Sequence, residues 1–256
     1  GHFVYHQYMD QLEYADSLGY DAIGVNEHHQ NGYGLMPSPN LIAAGLTRRT
    51  SRAAIAVIGN PLALYNPPIR VAEEFAMLDV ISGGRLLAGF PVGTSMDTNY
   101  CYGQVPATLR DKYDEAHNLI MRAWTEPEPF AFNGKYTQIR YVNIWPRPVQ
   151  QPHPPVILGG MAKNVLRRVV AWGDGWMPVR ATPEQIKMGR AAIDELAEAA
   201  GRDPHSIGIL ASGVGDRDEL KRMEDAGAAS ATVRLPSSAA GEAFPALEKL
   251  AQEFLA

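Results

Sequence analysis

The sequence predicts an α/β protein, a (β/α)8 TIM barrel whose first strand is not in this chain. Three observations carry that expectation. Short apolar runs alternate with amphipathic stretches seven times, the order of a parallel sheet wrapped by helices. Several of the runs end abruptly in Gly, Pro or polar residues, as strands do where a parallel α/β protein presents its chemistry. The length of 256 residues fits a single barrel domain, 1–256, and no linker or low-complexity tract interrupts it.

Taken in order, Tyr5, Tyr8, Met9, Leu12, Ala15 and Leu18 recur at helical spacing, and Gly19 supplies the stop. The run at 21–28 is the first strand. Ser38–Pro39 open a helix that ends in Arg48–Arg49, a basic last turn that suits the helix dipole. AAIAVIGNPLAL (53–64) reads as a strand interrupted by Gly59-Asn60-Pro61, which calls for a bulge or special peptide geometry. Pro67–Pro68 open the next helix and Ser82-Gly83-Gly84 close it. RLLAGFPVG (85–93) is a strand, followed by a polar aromatic loop and a helix over 106–125.

The rhythm then pauses for an insertion near 128–155. Asn133-Gly134 between β-prone residues signals a hairpin, and the Pro-rich run WPRPVQQPHPP leads back as an extended connection. Strand 155–160, a helix from Ala162 to Trp172 and strand 176–179 follow. The helix after Thr182 is the best marked, with Pro183 at its first position, Gln185 in capping-box register and Gly201 at its stop. Strand 207–214, a helix, strand 230–236 and a last helix from about Gly241 complete the chain. Seven strands are one short of a closed barrel, and the missing one would precede the first helix. An open seven-stranded sheet is the alternative, with two edges to protect.

Composition narrows the function. Apolar residues make up 46% and charged residues 20%, the balance of a folded globular chain rather than a disordered one. Net charge is −5, and no basic run exceeds a pair, so there is no nucleic-acid footprint. No apolar stretch reaches the ~18 residues that would span a bilayer, and there is no signal-peptide pattern. The single cysteine, Cys101, cannot form an intrachain disulfide and suits a reducing cytosol, so a cytoplasmic location is expected. The chain lacks an initiator Met and starts close to a helix, so native sequence is expected to precede it.

The stretch DAIGVNEHHQNGYG (21–34) concentrates the chemistry. It runs from apolar Ala22–Val25 into Asn26, Glu27, His28 and His29. Strand alternation puts Ala22, Gly24, Asn26 and His28 on one face and Ile23, Val25, Glu27 and His29 on the other. With small residues turned to a crowded barrel interior, Asn26 and His28 project into the mouth. A surface or core histidine is the plain alternative. A metal-dependent hydrolase using Glu27 and His29 is a further reading, but two ligands at i, i+2 are too few, and no metal site is expected.

NEHH with its Gly/Tyr loop, NPLALYNPPIRVAEEFAMLDVISGGRLLAGF, and PHPPVILGG with AWGDGWMPV together resemble the bacterial luciferase-like monooxygenase superfamily over nearly the whole chain. The resemblance implies a TIM barrel, and a cofactor at the C-terminal mouth that is either reduced FMN, as a co-substrate, or the deazaflavin coenzyme F-420. Residues 1–155 look closer to the flavin-dependent monooxygenases; GDGWMPV through SATVRLPS looks closer to the deazaflavin branch. Carried over, His28 matches the family's active-site histidine, a proton-handling group, with Asn26 beside it and Glu27 and His29 holding the strand end. Gly59–Asn60 matches a position where the family often has a non-prolyl cis peptide beneath the flavin ring.

For the cofactor phosphate, Gly159, Gly160, Met161 and Ala162 at a helix start offer backbone N–H groups. Val92 stands where bacterial luciferase has a phosphate-contacting arginine, so Gly93 and Thr94, or Ser95, would have to substitute. Tyr33, Met36, Tyr65, Tyr100 and Tyr102 are candidates to line a substrate pocket, or else pack the loops. The implied activity is a flavin-dependent monooxygenase that passes one oxygen atom of dioxygen to a small organic substrate, supplied with reduced flavin by a reductase. Deazaflavin-dependent hydride transfer is the alternative. So is a non-catalytic flavin-binding protein, like the truncated non-fluorescent flavoprotein of luminous bacteria. The family usually dimerises through its early helices, and Ile42, Leu46, Phe75 and Leu78 are the candidates for such a homodimer surface.

Overall fold

The computed structural model describes residues 1–32, 34–162, 164–233, 235 and 240–255, with side chains in the last helix from Glu242 onward. The chain forms two compact units, one of Gly24–Pro154 and one of Gly1–Ile23 with Pro155–Ala256.

In the unit of Gly24–Pro154, β1 (Ala22–Val25) enters beside β2 (Ala54–Ile58), and β2 pairs in parallel with β3 (Leu86–Gly89), Ile55 opposite Leu86 and Ile58 opposite Gly89. Gly89 is required by that approach: a Cβ there would lie 2.6 Å from Ile58 Cα. The helices are α2 (Pro39–Arg49), α3 (Ile69–Ser82) and α4 (Pro106–Thr125). Leu46, Phe75, Phe90, Tyr113 and Trp124 form their buried core, and Phe90 and Trp124 stack at 6.1 Å. Tyr113 donates its hydroxyl to Phe90 O at 2.6 Å, fixing α4 to the end of β3. Arg85 leads into β3 and donates to the carbonyls of Thr47, Thr50 and Ala53 at 2.8–3.2 Å, satisfying acceptors that the end of α2 leaves open.

The insertion is the predicted hairpin, β4 (Phe130–Asn133) antiparallel to β5 (Gln138–Val142). Its turn closes around a carboxylate from α4: Glu115 accepts the N–H groups of Lys135, Tyr136 and Thr137 at 2.6–3.0 Å. The Pro-rich return is pinned to α3, where wholly buried Asp79 accepts Val149 N–H at 2.7 Å and Gln150 N–H at 3.0 Å.

In the other unit, β6 (Val156–Gly159), β7 (Gly175–Met177), β8 (Gly208–Val214) and β9 (Ser230–Val233) run parallel in that order. They alternate with α5 (Val165–Trp172), α6 (Pro183–Ala199) and α7 (Arg217–Asp225), and α8 (Ala240–Phe254) follows. The capping box on α6 forms as its sequence requires. The opening helix α1 (His2–Leu18) ends at Gly19 with φ 99° and packs on α8, with Tyr20 donating to Leu247 O at 3.1 Å.

Several expectations need correction. The first strand stops at Val25, so Asn26 to His29 follow it rather than belong to it. The strand expected over 53–64 ends at Ile58, and Leu62–Leu64 form a single 3-10 turn. The helix expected from Ala162 starts at Val165, after Asn164. The proposed dimer residues Leu46, Phe75 and Leu78 are core, and Ile42 is half-buried. The exposed apolar residues of those helices are Leu41, Met77, Val80 and Ile81.

Candidate functional site

Backbone extension beyond β1 carries its alternation forward. Ile23, Val25, Glu27 and His29 are buried, whereas Gly24 and Asn26 are exposed and His28 is half-buried. The two histidines therefore enter different surroundings.

On the buried side, His29 Nε2 lies 2.6 Å from Glu27 Oε1. The other Glu27 oxygen accepts from Asn60 Nδ2 at 2.9 Å and from the Tyr65 hydroxyl at 2.6 Å, and Asn60 also meets Tyr65. Tyr102 closes the set, its ring 4.6 Å from that of His29. Burial pushes the Glu27 carboxyl up, against the opposing pull of Tyr65, His29 and Asn60. Burial also pushes the Tyr65 hydroxyl upward, helped by the Glu27 charge, so Tyr65 stays protonated and donates. Gly59 allows the packing, because a Cβ there would lie 2.6 Å from Glu27 N.

On the open side stands His28. Gly34 packs on its imidazole, since a Cβ at Gly34 would lie 3.1 Å from both Cβ and Cδ2 of His28. His28 Nδ1 is 3.1 Å from Asp97 Oδ2. Asp97 comes from an irregular π-helical turn, Met96–Cys101, after β3. Its carboxylate also accepts the Thr94 hydroxyl at 2.6 Å and the His29 N–H at 2.8 Å. Burial works to raise the Asp97 carboxyl, but Thr94, the His29 N–H and His28 outweigh it and hold it below the usual carboxylate range. Asp97 was not a sequence candidate. The one signal for it was its place in a polar loop at a strand end.

The expected residues sort as follows. His28 and Asn26 reach the open side together. Glu27 and His29 hold each other, as expected of supporting residues. Gly59 and Asn60 are buried, and their peptide is trans rather than cis; the cis bonds among the described residues precede Pro67, Pro146 and Pro152. Gly93 has φ 96° and faces Thr98 and Pro61, and the Thr94 hydroxyl is engaged with Asp97. Tyr65 and Tyr102 are tied to the buried network, Met36 accepts the His28 N–H at 3.3 Å, and Tyr100 is exposed. Tyr33 lies outside the described residues. In the other unit, Met161 and Ala162 occupy an exposed turn after Gly159, and Gly160 N–H is bonded to Met177 O at 3.2 Å.

Among the described residues no group of three or more His, Cys, Asp and Glu side chains is placed to hold a metal, and Glu27 and His29 are joined directly to each other. No helix there is long and apolar enough to cross a membrane.

The chain is thus built of parallel β/α units, with a half-buried histidine and a buried carboxylate brought together just beyond β1 and β3. The chain belongs to the luciferase-like monooxygenase family, whose model matches residues 1–234. It is 31% identical over 195 residues to the oxygenase component of the flavin-dependent trigonelline monooxygenase of Acinetobacter baylyi, covering 75% of this chain and 52% of that one. It is 33% identical over 159 residues to y4wF of Sinorhizobium fredii, covering 60% of this chain and 46% of that one. The chain thus spans about half the length of these two relatives. Among solved structures it is similar to monooxygenase RslO1 of Streptomyces bottropensis, with TM-score 0.83, 21% identity and coverage of 98% and 92%. An F-420-dependent secondary alcohol dehydrogenase gives TM-score 0.83 at 19% identity, with coverage of 96% and 93%. These likenesses show the fold, the TIM-barrel class that the sequence predicts.

Proposed function

We propose that this chain is the oxygenase of a flavin-dependent monooxygenase, taking reduced FMN as a co-substrate with dioxygen and a small organic substrate. The observation that carries the reading is His28, half-buried beyond β1 and held through Nδ1 by buried Asp97. An imidazole held in this way, with its ring turned to the open side, is placed to pass a proton to or from a bound group.

The residues fit a flavin. Asn26 and His28 face outward side by side, and Asn60 Oδ1, wholly buried, has no hydrogen-bond partner among the described residues. That leaves an acceptor for a donor outside the chain's own network. Asn26, His28, Gly93 and Thr94 would meet the ring system, Thr94 through its backbone since its hydroxyl serves Asp97. Separately, the turn Gly159–Ala162 is proposed as a phosphate-holding turn through Met161 and Ala162. When bound, the reduced flavin supplies the electrons that activate dioxygen. The chain's share is to orient the ring, to exclude water and to manage the proton at His28.

Support comes from a relative described as flavin-dependent and from the resemblance of residues 1–155. The C-terminal resemblance to the deazaflavin branch favours coenzyme F-420 as the second reading. A cytosolic location, a reductase partner and a homodimer through Leu41, Met77, Val80 and Ile81 belong to the same proposal, the last supported by their exposure.

The test is anaerobic titration with reduced FMN and with reduced coenzyme F-420, followed by oxygen uptake with a reductase. Micromolar binding of reduced FMN with substrate-dependent uptake supports the reading. Preference for the deazaflavin replaces it with hydride transfer, and binding without uptake replaces it with a flavin carrier.

A further inference from the structure

The geometry points to Asp97 as the positioning residue that fixes the tautomer of His28, holding the proton on Nδ1 and so placing the lone pair of the neutral ring on Nε2. The functional side of this inference rests on the flavin reading; the tautomer does not.

Three donors converge on the two Asp97 oxygens. The His29 backbone N–H takes Oδ1 at 2.8 Å, while the Thr94 hydroxyl at 2.6 Å and His28 Nδ1 at 3.1 Å share Oδ2. An ionised carboxylate can only accept, and its side chain is 3% exposed, so water does not compete freely for those lone pairs. The backbone N–H is a fixed donor. Thr94 accepts Asp97 N–H at 3.2 Å with the same hydroxyl oxygen, which leaves its proton to point at Oδ2. The last position can be filled favourably only by an N–H on His28 Nδ1, so in the neutral ring the proton sits there.

The turn that carries Asp97 has its own hydrogen bonds. Residues 96–101 are helical, Thr98 N–H bonds to Thr94 O at 2.9 Å, and Thr98 Oγ1 bonds to the same carbonyl at 2.7 Å. Asp97 also holds His29 through the backbone. One carboxylate therefore sets the ring orientation of His28 and the path of the chain after it, while the Glu27 network holds His29 from the other side. The arrangement places an acid–histidine pair in the chain order His then Asp. The roles follow from geometry, as in other such pairs.

Asp97→Asn separates positioning from packing. The amide keeps the volume, and its oxygen stays on the His29 N–H, a donor that only an acceptor can meet. The NH2 then replaces Oδ2. Thr94 can turn its hydroxyl to accept, but His28 Nδ1 must give up its proton to become an acceptor, so the ring moves to the Nε2–H tautomer. Imidazole 15N and 13C shifts of the full-length protein read this directly, with His28 assigned from a His28→Gln spectrum. The expected result is Nδ1–H in the parent and Nε2–H in Asp97→Asn, with unchanged circular dichroism. In turnover, Asp97→Asn is expected to lower kcat by about 100-fold or more with KM little changed. An Nε2–H tautomer in the parent, or Nδ1–H retained in the variant, overturns the inference. Should the variant not fold, the parent spectrum still decides. Failure of the flavin reading would show separately, as absent FMN binding with the tautomer result unaltered.

Discussion

Glu27 and His29, two residues apart beyond the end of β1, face each other at 2.6 Å inside the protein. The pair occupies the buried side of the segment whose open side carries His28. Glu27 is also the acceptor for Asn60 and Tyr65, so its carboxylate joins the ends of β1 and β2. Replacing it with Ala strands several buried polar groups at once, and a loss of about 3–5 kcal/mol is expected. Glu27→Gln keeps the shape but turns an N–H toward at least one donor, for about 1–3 kcal/mol. Urea unfolding of both variants checks the order. Equal stability of Ala and Gln variants would refute the network.

A second buried histidine has the opposite logic. His117 in α4 is enclosed beside Phe90, and burial, with a smaller contribution from the His153 charge, pushes it down to about 4. The folded protein holds it neutral, while the unfolded chain protonates it near its ordinary 6.5. As pH falls, the unfolded state therefore takes up the proton first and stability drops. The loss develops between about pH 6.5 and 4 and reaches about 3 kcal/mol. His117→Gln should flatten that part of the stability profile; an unchanged slope would show that other groups cause it.

The period-2 pattern from Ile23 to His29 made the different fates of His28 and His29 legible, because alternation is a backbone property that the sequence displays. Asp97 was not legible. It lies 69 residues from His28 and arrives on an irregular turn that no periodicity announces. The dimer candidates failed for a different reason. α3 carries apolar residues on both faces, and the charged Arg70, Glu73 and Glu74 that share a side with Met77 and Ile81 were the signal that Phe75 and Leu78 face inward. The start of α5 was misplaced because Gly159-Gly160 looked like the whole turn, although the chain needs further residues to reach the cap at Asn164.

Asp79 makes a prediction about the insertion. Its carboxylate receives two backbone N–H groups and the Gln150 side chain at 2.6 Å, all at one point of the return connection. Asp79→Ala should cost about 3–5 kcal/mol, since a buried acceptor is lost and its donors remain. Hydrogen exchange localises the effect. Amides of Val149 and Gln150 should lose protection first, whereas the β2–β3 ladder should change only with global unfolding.

Gly189 in α6 reaches the proposed phosphate turn through one side chain. A Cβ at Gly189 would fall 2.0 Å from the Trp176 ring, so that ring lies where any larger residue would intrude. Trp176 is buried and donates its indole N–H to Gly160 O at 2.9 Å. Gly189→Ala must therefore move the indole, and the indole carries the carbonyl that shapes the turn before Met161. Overpacking of this kind costs about 1–3 kcal/mol. The sharper expectation concerns the turn. Gly160 N–H is bonded to Met177 O at 3.2 Å, and displacing the indole from Gly160 O should loosen that bond. The Gly160 amide should therefore exchange faster in Gly189→Ala than in the parent, while the β7–β8 ladder keeps its protection. Unchanged exchange at Gly160 would show that the indole does not shape the turn.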